Sequence, residues 1–332
     1  MKKYVVALVI FATVMVMIVG SRYAKEKTAL SSTVLEPLSI GLAMQPGSGL
    51  VMIALEKGFF KEEGLAVEVK PYPSGKRALE EGLFESKLDM ITTADTPVVF
   101  AVFERSDYKV IATLCEADSI YRIVANKKMG ITRPEDLMGK RLTTQPKSST
   151  HFFLSLFLLE HGLKMSDVNL TFSKSETQPK ALVDGSVDAV SLREPFSSQV
   201  QKMLGSDAVV FSSPGLYTQM ELAVARDTLI REHPESVEKF LRGVLRAETY
   251  MKEHPQEGIK LIKEYLDTPH LGVTQNQYQI GLGQSLVALM DDQGRWVISE
   301  QLVPSDEIPD FITVIDDRWL KKLKPQSVTI IH

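Results

Sequence analysis

From Leu38 onward, short runs rich in β-branched and aromatic residues alternate with stretches of helical period, and no other feature restricts the fold as much. Strands in such a chain pair side by side through helical crossovers, which places it in the α/β class with a parallel sheet. The spacing predicts strands at 38–43, 66–72, 90–94 and 109–114, with helices at 50–60, 76–84 and 97–103 between them. A second block repeats the rhythm, with strands at 141–144, 168–172, 188–192 and 209–211 and helices at 150–161, 177–184 and 195–204. Residues 221–225 read as one more strand, after which the pattern is helical almost to the end. In "PESVEKFLRGVLRAETYMKEH" the residues Val237, Phe240, Leu241, Val244 and Leu245 recur at helical spacing and mark a core-facing stripe. Pro234 and Pro255 stand at helix starts, where the missing N–H has no intrahelical partner to lose.

The two blocks carry a weak internal repeat. "LFESKLDM" (83–90) and "LVDGSVDA" (182–189) both read as a helix end, a tight turn, and a strand beginning near an aspartate. Gly185 suits the left-handed position that ends the helix in the second copy, and Ser86 occupies that place in the first. Two similar α/β lobes follow, each offering strand-end loops and helix N-termini to a shared crevice, where open α/β sheets bind ligands.

Of the 332 residues, 44% are hydrophobic and 24% charged, which supports about two folded domains. The net charge is −4 and the basic residues are scattered, so no electrostatic footprint for nucleic acid exists. The exception to this soluble composition is the N-terminus, where Lys2 and Lys3 precede an uncharged apolar run from Val5 to Gly20, followed by Arg22, Lys25 and Lys27. That is the layout of an export signal, with a small-residue pattern at Val19 and Ser21 that fits cleavage loosely. The run is also only slightly shorter than the ~18 residues of a spanning helix, so residues 1–24 read as either a signal peptide or a retained N-terminal anchor. Residues 25–37 read as a linker. The single cysteine, Cys115, lies far from this segment, which excludes a lipid-modified cysteine at the cleavage site and any internal disulfide.

Six stretches together resemble one family: "PGSGLVMIALEKGFFKEEGLAVEV", "LDMITTADTPVVFAV", "PEDLMGKRL", "SSTHFFLSLFLLEHGL", "LVDGSVDAVSLREPF" and "PESVEKFLRGVLRAETY". In order and spacing they resemble the nitrate/sulfonate/taurine-type periplasmic substrate-binding proteins of ABC importers, over residues 38–266. The resemblance implies a two-lobed periplasmic-binding-protein fold of type II, with two parallel or mixed sheets flanked by helices and a hinge between the lobes. Lobe one would comprise residues 38–116 and 217–332, including the C-terminal helices, and lobe two residues 117–216. It further implies a monomer that closes on a small-molecule ligand and passes it to an ABC permease and ATPase, in the periplasm or another extracytoplasmic space. Contact with the inner membrane would come only through an uncleaved N-terminal segment. The sequence departs from the family pattern at Ser86, where glycine is usual, and at Arg193, where an aromatic often precedes the Glu-Pro pair.

Candidate ligand contacts follow from loops at strand ends. In "QPGSG", Gln45, Gly47 and Ser48 sit in a loop of small residues that lets backbone N–H groups approach a ligand, the alternative being an ordinary strand-to-helix turn. In "TTADTP", Asp95 is read first as a cap of the helix entering at Pro97, with Thr93 and Thr96 as hydroxyl contacts. In "KSSTHFF", Ser148 or Ser149 would cap a helix whose first-turn amides, at Thr150 and nearby, make an anion seat. Phe152, Leu156 and Leu159 would continue as its buried stripe, and Gly162 would end it. His151 is either a cleft residue or a packing residue. In "SLREPF", Arg193 would hold a carboxylate or sulfonate or pair with the surroundings of Glu194, and Glu194 would receive an amino group or serve as a helix N-terminal charge.

Several chemistries fail on the sequence. "SGKRA" (74–78) lacks the upstream glycine spacing and the hydroxyl after lysine of a phosphate-binding loop. No GxSxG elbow is present, and the histidines at 151, 161, 233, 254, 270 and 332 show no metal-binding spacing. Together with these exclusions, the resemblance implies a binding protein, not an enzyme, with no cofactor and no metal, for a small anionic or zwitterionic solute of the sulfonate, taurine or nitrate class. The alternatives are a binding protein for a thiamin-pyrimidine-like heterocycle, or a biosynthetic enzyme on the same fold. Relatives of the pyrimidine-synthesising kind carry a cysteine-rich motif that Cys115 alone cannot supply.

Overall fold

A computed structural model describes residues 35–268 and 276–332, so the N-terminal signal or anchor and residues 25–34 of the linker lie outside the described residues. Apart from Glu36, everything described below falls within one unit of the chain, Pro37–His332. Its strands are β1 (Glu36–Ala43), β2 (Leu65–Tyr72), β3 (Met90–Ala94), β4 (Tyr108–Ala117), β5 (Tyr121–Asn126), β6 (Arg141–Thr144), β7 (Asn169–Phe172), β8 (Ala189–Arg193), β9 (Ala208–Phe211), β10 (Gln219–Arg226) and β11 (Asn276–Gln277). The helices that matter for the site are α1 (Gly49–Glu56), α2 (Asp95–Val102), α3 (Ser149–Glu160), α4 (Phe196–Leu204), α5 (Pro234–Glu253) and α6 (Gln284–Ser299).

The strands form a six-stranded sheet in the order β11-β4-β10-β3-β1-β2 and a five-stranded sheet in the order β7-β6-β8-β5-β9. Without β11 the two orders are equivalent position by position. β1 pairs with β3 in parallel, as β6 does with β8, while β10 runs antiparallel to β3 and β4, as β5 does to β8 and β9. In each sheet the antiparallel member is the first strand after the chain crosses from the other sheet: β5 follows β4, and β10 follows β9. The lobes are thus joined by two crossovers lying side by side.

The repeat seen in sequence is a repeated stitch. Asp89 accepts bonds from Ser39 N (2.9 Å) and Ser39 Oγ (2.7 Å), and Asp188 accepts one from Arg141 N (2.8 Å), so each aspartate ties the entry to the third strand of its block onto the first. Ser86 (φ 56°) and Gly185 (φ 73°) both take the left-handed conformation before these aspartates.

The predicted strands all form, with ends shifted by at most three residues. The strand missed is β5, because only Asp118–Ile120 separates it from β4 and no helix announces it. The short β11 was also missed. Two predicted helices are interrupted: 50–60 breaks at Gly58 (φ 73°), and 76–84 becomes the single turn Gly75–Arg77 followed by a π-helical segment, Ala78–Leu83. In α5, Val237, Phe240, Leu241 and Val244 are buried as read, whereas Leu245 is half-buried. Phe240 stacks on Phe60 at 5.3 Å between centroids. The stripe read on α3 needs correction: Phe152 is buried, but Leu156 is half-buried and Leu159 is 68% exposed, and Phe153, Leu154, Phe157 and Leu158 fill the core instead. Gly162 (φ 71°) ends this helix as expected.

Candidate functional site

The strand ends of both sheets face one crevice. A cavity of about 270 Å³ lies there, near the lower end of the ~300–1,000 Å³ usual for small-molecule sites. Its six-stranded side is formed by the Gln45–Pro46–Gly47 loop after β1, Ala117 at the end of β4, Gln219 at the start of β10, and Asn276. Ser119 and Ile120 of the first crossover, Arg122 of β5, Arg193 at the end of β8 and Glu194 just after it complete it. A smaller void of about 20 Å³, room for about one water, adjoins it and shares Gln45, Arg193 and Gln219 as a common wall. Gln145, Ser148, Ser149 and Thr150 line this void, with Ser74 and Gly75 opposite.

Two guanidinium groups dominate the electrostatics. Arg193 is buried, its Nη1 held by Glu194 O at 2.9 Å and its Nη2 by Pro73 O at 3.1 Å. Among the described residues no carboxylate lies within ion-pair distance of it, and burial lowers its pKa. A cation so far removed from water is costly unless an anion or several dipoles compensate it. Arg122 is held through Nη1 by Ser119 O (2.5 Å) and Tyr121 O (2.7 Å). Glu194, in contrast, turns its carboxylate onto Ser197 Oγ and the Ser198 amide (3.3 Å) in the first turn of α4, where the helix dipole favours it.

Behind the cavity wall lies Glu221, wholly buried on β10. Its carboxylate accepts bonds from Gln45 Nε2, Ser48 Oγ (3.0 Å) and Gln219 Nε2 (3.2 Å). Desolvation, with a smaller push from the Asp95 charge, raises its pKa to about 7, outweighing the lowering effect of Ser48, Arg193 and Gln45.

Of the residues singled out in sequence, Gln45, Gly47, Arg193 and Glu194 line the larger cavity, and Ser148, Ser149 and Thr150 line the smaller void. Ser48, Thr93, Asp95, Thr96 and His151 line neither. Ser48 lies beneath the wall, bonded to Glu221 and Thr92, and Thr93 packs against Gly75. Asp95 is itself the first residue of α2. It accepts bonds from Tyr217 Oη, Met220 N (3.1 Å) and Thr96 N (2.7 Å), a clamp between α2 and the start of β10 rather than a cap of a helix entering at Pro97. Burial raises its pKa. Ser148 sits at the N-cap position of α3 but caps no amide: its hydroxyl donates to Gln145 O at 2.6 Å, and Ser149 Oγ is buried without a partner. His151 is a packing residue, edge-on to Phe172 (5.0 Å) and Trp296 (5.2 Å), and burial lowers its pKa to about 4.

Sequence reasoning missed Arg122, Gln219, Glu221 and the tyrosines Tyr121 and Tyr217, which stack at 5.3 Å where the two crossovers meet. A signal for Glu221 existed. A lone carboxylate inside the apolar run "MELAVA" has to be paired, hydrogen-bonded or protonated once that strand is buried.

Contacts between the two sides close the crevice: Arg193 to Pro73 O, Gln145 Nε2 to Ser74 Oγ (3.3 Å), and the ion pairs Arg77–Glu176 (2.8 Å) and Lys147–Glu104 (3.1 Å). Trp296 of α6 touches Phe100 of α2 (5.9 Å) as well as His151 and Phe152 (5.0 Å) of α3.

Two matched sheets, joined by paired crossovers and enclosing a polar cavity at their strand ends, define the two-lobed periplasmic-binding-protein fold. The chain belongs to the family described as NMT1/THI5 like, which matches residues 45–258. It is 28% identical over 233 residues to a candidate aliphatic sulfonates-binding protein of Bacillus subtilis, covering 69% of this chain and 70% of that protein. It is also 24% identical over 247 residues to the 4-amino-5-hydroxymethyl-2-methylpyrimidine phosphate synthase THI13 of Saccharomyces cerevisiae, covering 69% and 70%. Among solved structures, the alkanesulfonate-binding protein SsuA of Xanthomonas axonopodis pv. citri bound to MOPS superposes with a TM-score of 0.71 at 18% identity, over 85% of this chain and 98% of that one.

Proposed function

We propose that this protein is an extracytoplasmic solute-binding protein that captures a small anion of the sulfonate class by closing two lobes over it and delivers it to an ABC permease. The observation that carries the reading is Arg193, a buried guanidinium at the wall of a 270 Å³ cavity with no carboxylate in ion-pair range among the described residues. Arg122 adds a second cation, and Gln45, Gln219 and Asn276 add neutral donors around the same space. The sulfonates-binding relative supports this choice of anion over nitrate. Lobe one is assigned residues 38–116 and 217–332 and lobe two residues 117–216, with the hinge in the crossovers between β4 and β5 and between β9 and β10. The segment 1–24 would direct export, whether cleaved or retained.

The test is a thermal-shift panel on the purified chain with ethanesulfonate, taurine, nitrate and 4-amino-5-hydroxymethyl-2-methylpyrimidine. A ligand at a hundred times its Kd adds about 2.7 kcal/mol of stability. Stabilisation by ethanesulfonate or taurine, lost in Arg193→Met, is the expected result. A shift with the pyrimidine alone refutes the anion reading.

A further inference from the structure

We infer that Glu221 is a positioning residue that couples capture of the anion to the uptake of one proton from solvent, because the donors it shares with the cavity wall hold a carboxylate directly beneath the ligand. This inference rests on the anion reading above.

The geometry leaves a single layer between the carboxylate and the cavity. Gln45 and Gln219 line the cavity, and the side-chain amide of each also donates to Glu221. Each amide has two N–H groups, so with one on Glu221 the other remains for the cavity. Gly47 completes the layer: a Cβ there would stand 3.1 Å from Glu221 Oε2, so the loop backbone lies against the carboxylate. Ser48 Oγ is the third donor, from beneath. Arg193 serves both sides, since it lines the cavity and its charge also favours the Glu221 carboxylate.

An anion entering the cavity therefore places a second negative charge beside a buried one and draws on the same guanidinium and amides. Two like charges in one buried site push the proton affinity of the weaker acid upward. A sulfonate does not protonate near neutrality, so the proton goes to Glu221, which becomes a neutral carboxylic acid while the anion keeps its charge.

The other charged or titratable groups around Glu221 do not offer that response. Cys115 on β4, Tyr121 on β5 and Tyr278 beyond β11 have pKa values raised by burial and stay neutral. Arg193 keeps its proton as guanidinium groups in proteins do, and Arg122 is held by Ser119 O and Tyr121 O. Glu194 is engaged at the start of α4, and Asp95 on α2 is fixed by Tyr217 and two backbone amides, its charge adding to the rise in the Glu221 pKa. With its pKa at about 7, Glu221 lies where a nearby anion converts directly into proton uptake.

The experiment is calorimetric titration of the purified chain with ethanesulfonate from pH 5.5 to 8.5, in buffers of differing ionisation enthalpy. Near pH 8 binding is expected to take up close to one proton, and near pH 5.5 almost none. Kd is expected to rise about tenfold between pH 6 and pH 8. Glu221→Gln, which mimics the protonated acid, is expected to bind at every pH about as tightly as the wild type does at pH 5.5. Ser48→Ala removes one donor from the carboxylate and moves the midpoint of the wild-type pH profile upward, a readout that does not depend on the Gln variant folding. Ethanesulfonate binding with a flat Kd and no buffer-dependent heat overturns the coupling and leaves the anion reading standing. A wild-type slope retained in Glu221→Gln, or a midpoint unmoved in Ser48→Ala, overturns the assignment to Glu221. Absence of ethanesulfonate binding at every pH in folded wild type overturns the anion reading and the coupling together.

Discussion

Arg193→Met separates binding from folding. The side chain is buried and makes two hydrogen bonds to carbonyls, Glu194 O at 2.9 Å and Pro73 O at 3.1 Å, and no ion pair within reach among the described residues. Bonds from a charged donor are each worth ~1.5–3 kcal/mol, and two of them are lost. Against this, keeping a guanidinium out of water costs several kcal/mol after relaxation, and the substitution removes that cost while leaving a side chain of comparable length. Pro73 and Glu194 are only half-buried, so water can take over their carbonyls. The two contributions nearly cancel, and the ligand-free stability of Arg193→Met is expected to fall within about 2 kcal/mol of wild type. Anion affinity has no such compensation. Losing one partner of a desolvated charge pair costs ~2–5 kcal/mol, or roughly thirty-fold to several thousand-fold in Kd. Urea denaturation without ligand and calorimetric titration with ethanesulfonate measure the two quantities on the same preparations. A variant destabilised by more than 4 kcal/mol yet binding normally would refute the reasoning, because Arg193 would then be a structural strut.

Three further outcomes test the account. In Gly75→Ala the new Cβ would stand 2.4 Å from Thr93 Cα and 2.6 Å from Thr93 Oγ1; since backbone cannot yield as a side-chain tip does, a loss of about 1–3 kcal/mol is expected in chemical denaturation. Trp296→Ala removes the ring that touches Phe100, His151 and Phe152, and a loss of about 3–5 kcal/mol is expected by the same assay. The pH dependence of stability has two arms. Glu221 is raised from its ordinary 4.5 to about 7, so the folded state holds the extra proton and stability falls as pH rises through that window, by on the order of 2 kcal/mol between pH 5.5 and 8.5 for this group. His151 is lowered from 6.5 to about 4, so the unfolded state holds the extra proton and stability falls as pH drops from 6.5 toward 4. The two windows overlap with opposite slopes, so urea midpoints across pH 4–9 are compared between variants: Glu221→Gln is expected to leave a stability that rises with pH from about 4 to 6.5, and His151→Phe one that falls from about 4.5 to 7.

Most of the fold was legible because it rests on local periodicity. Alternation of β-rich runs with helical stretches placed nine strands, and the paired turns at Ser86 and Gly185 announced the doubled architecture. The site was legible only at the end of a recognisable strand: Gln45 and Gly47 after β1, Ser148 to Thr150 after β6, Arg193 and Glu194 at the end of β8. β5 was not, since a strand-to-strand crossover breaks the alternation on which the reading depended. With it went Arg122, and with the first two residues of β10 went Gln219, while Glu221 fell inside the predicted strand 221–225 and its burial as a lone carboxylate was not read.

What the sequence determined by itself is therefore the class of fold, the two-block organisation and the chemical character of the strand-end loops, all properties of short stretches. The tertiary structure alone decided which of those loops share a cavity, and the reason is physical. Whether Thr93, Asp95 or His151 meets a ligand depends on the direction a side chain takes once helices and sheets pack, and packing turned Asp95 toward Tyr217 and His151 toward Trp296. The same packing buried Glu221 and Arg193 against one space. Desolvation, a property of the assembled surroundings and of no residue alone, turned an ordinary strand glutamate and a strand-end arginine into the two groups that govern the site.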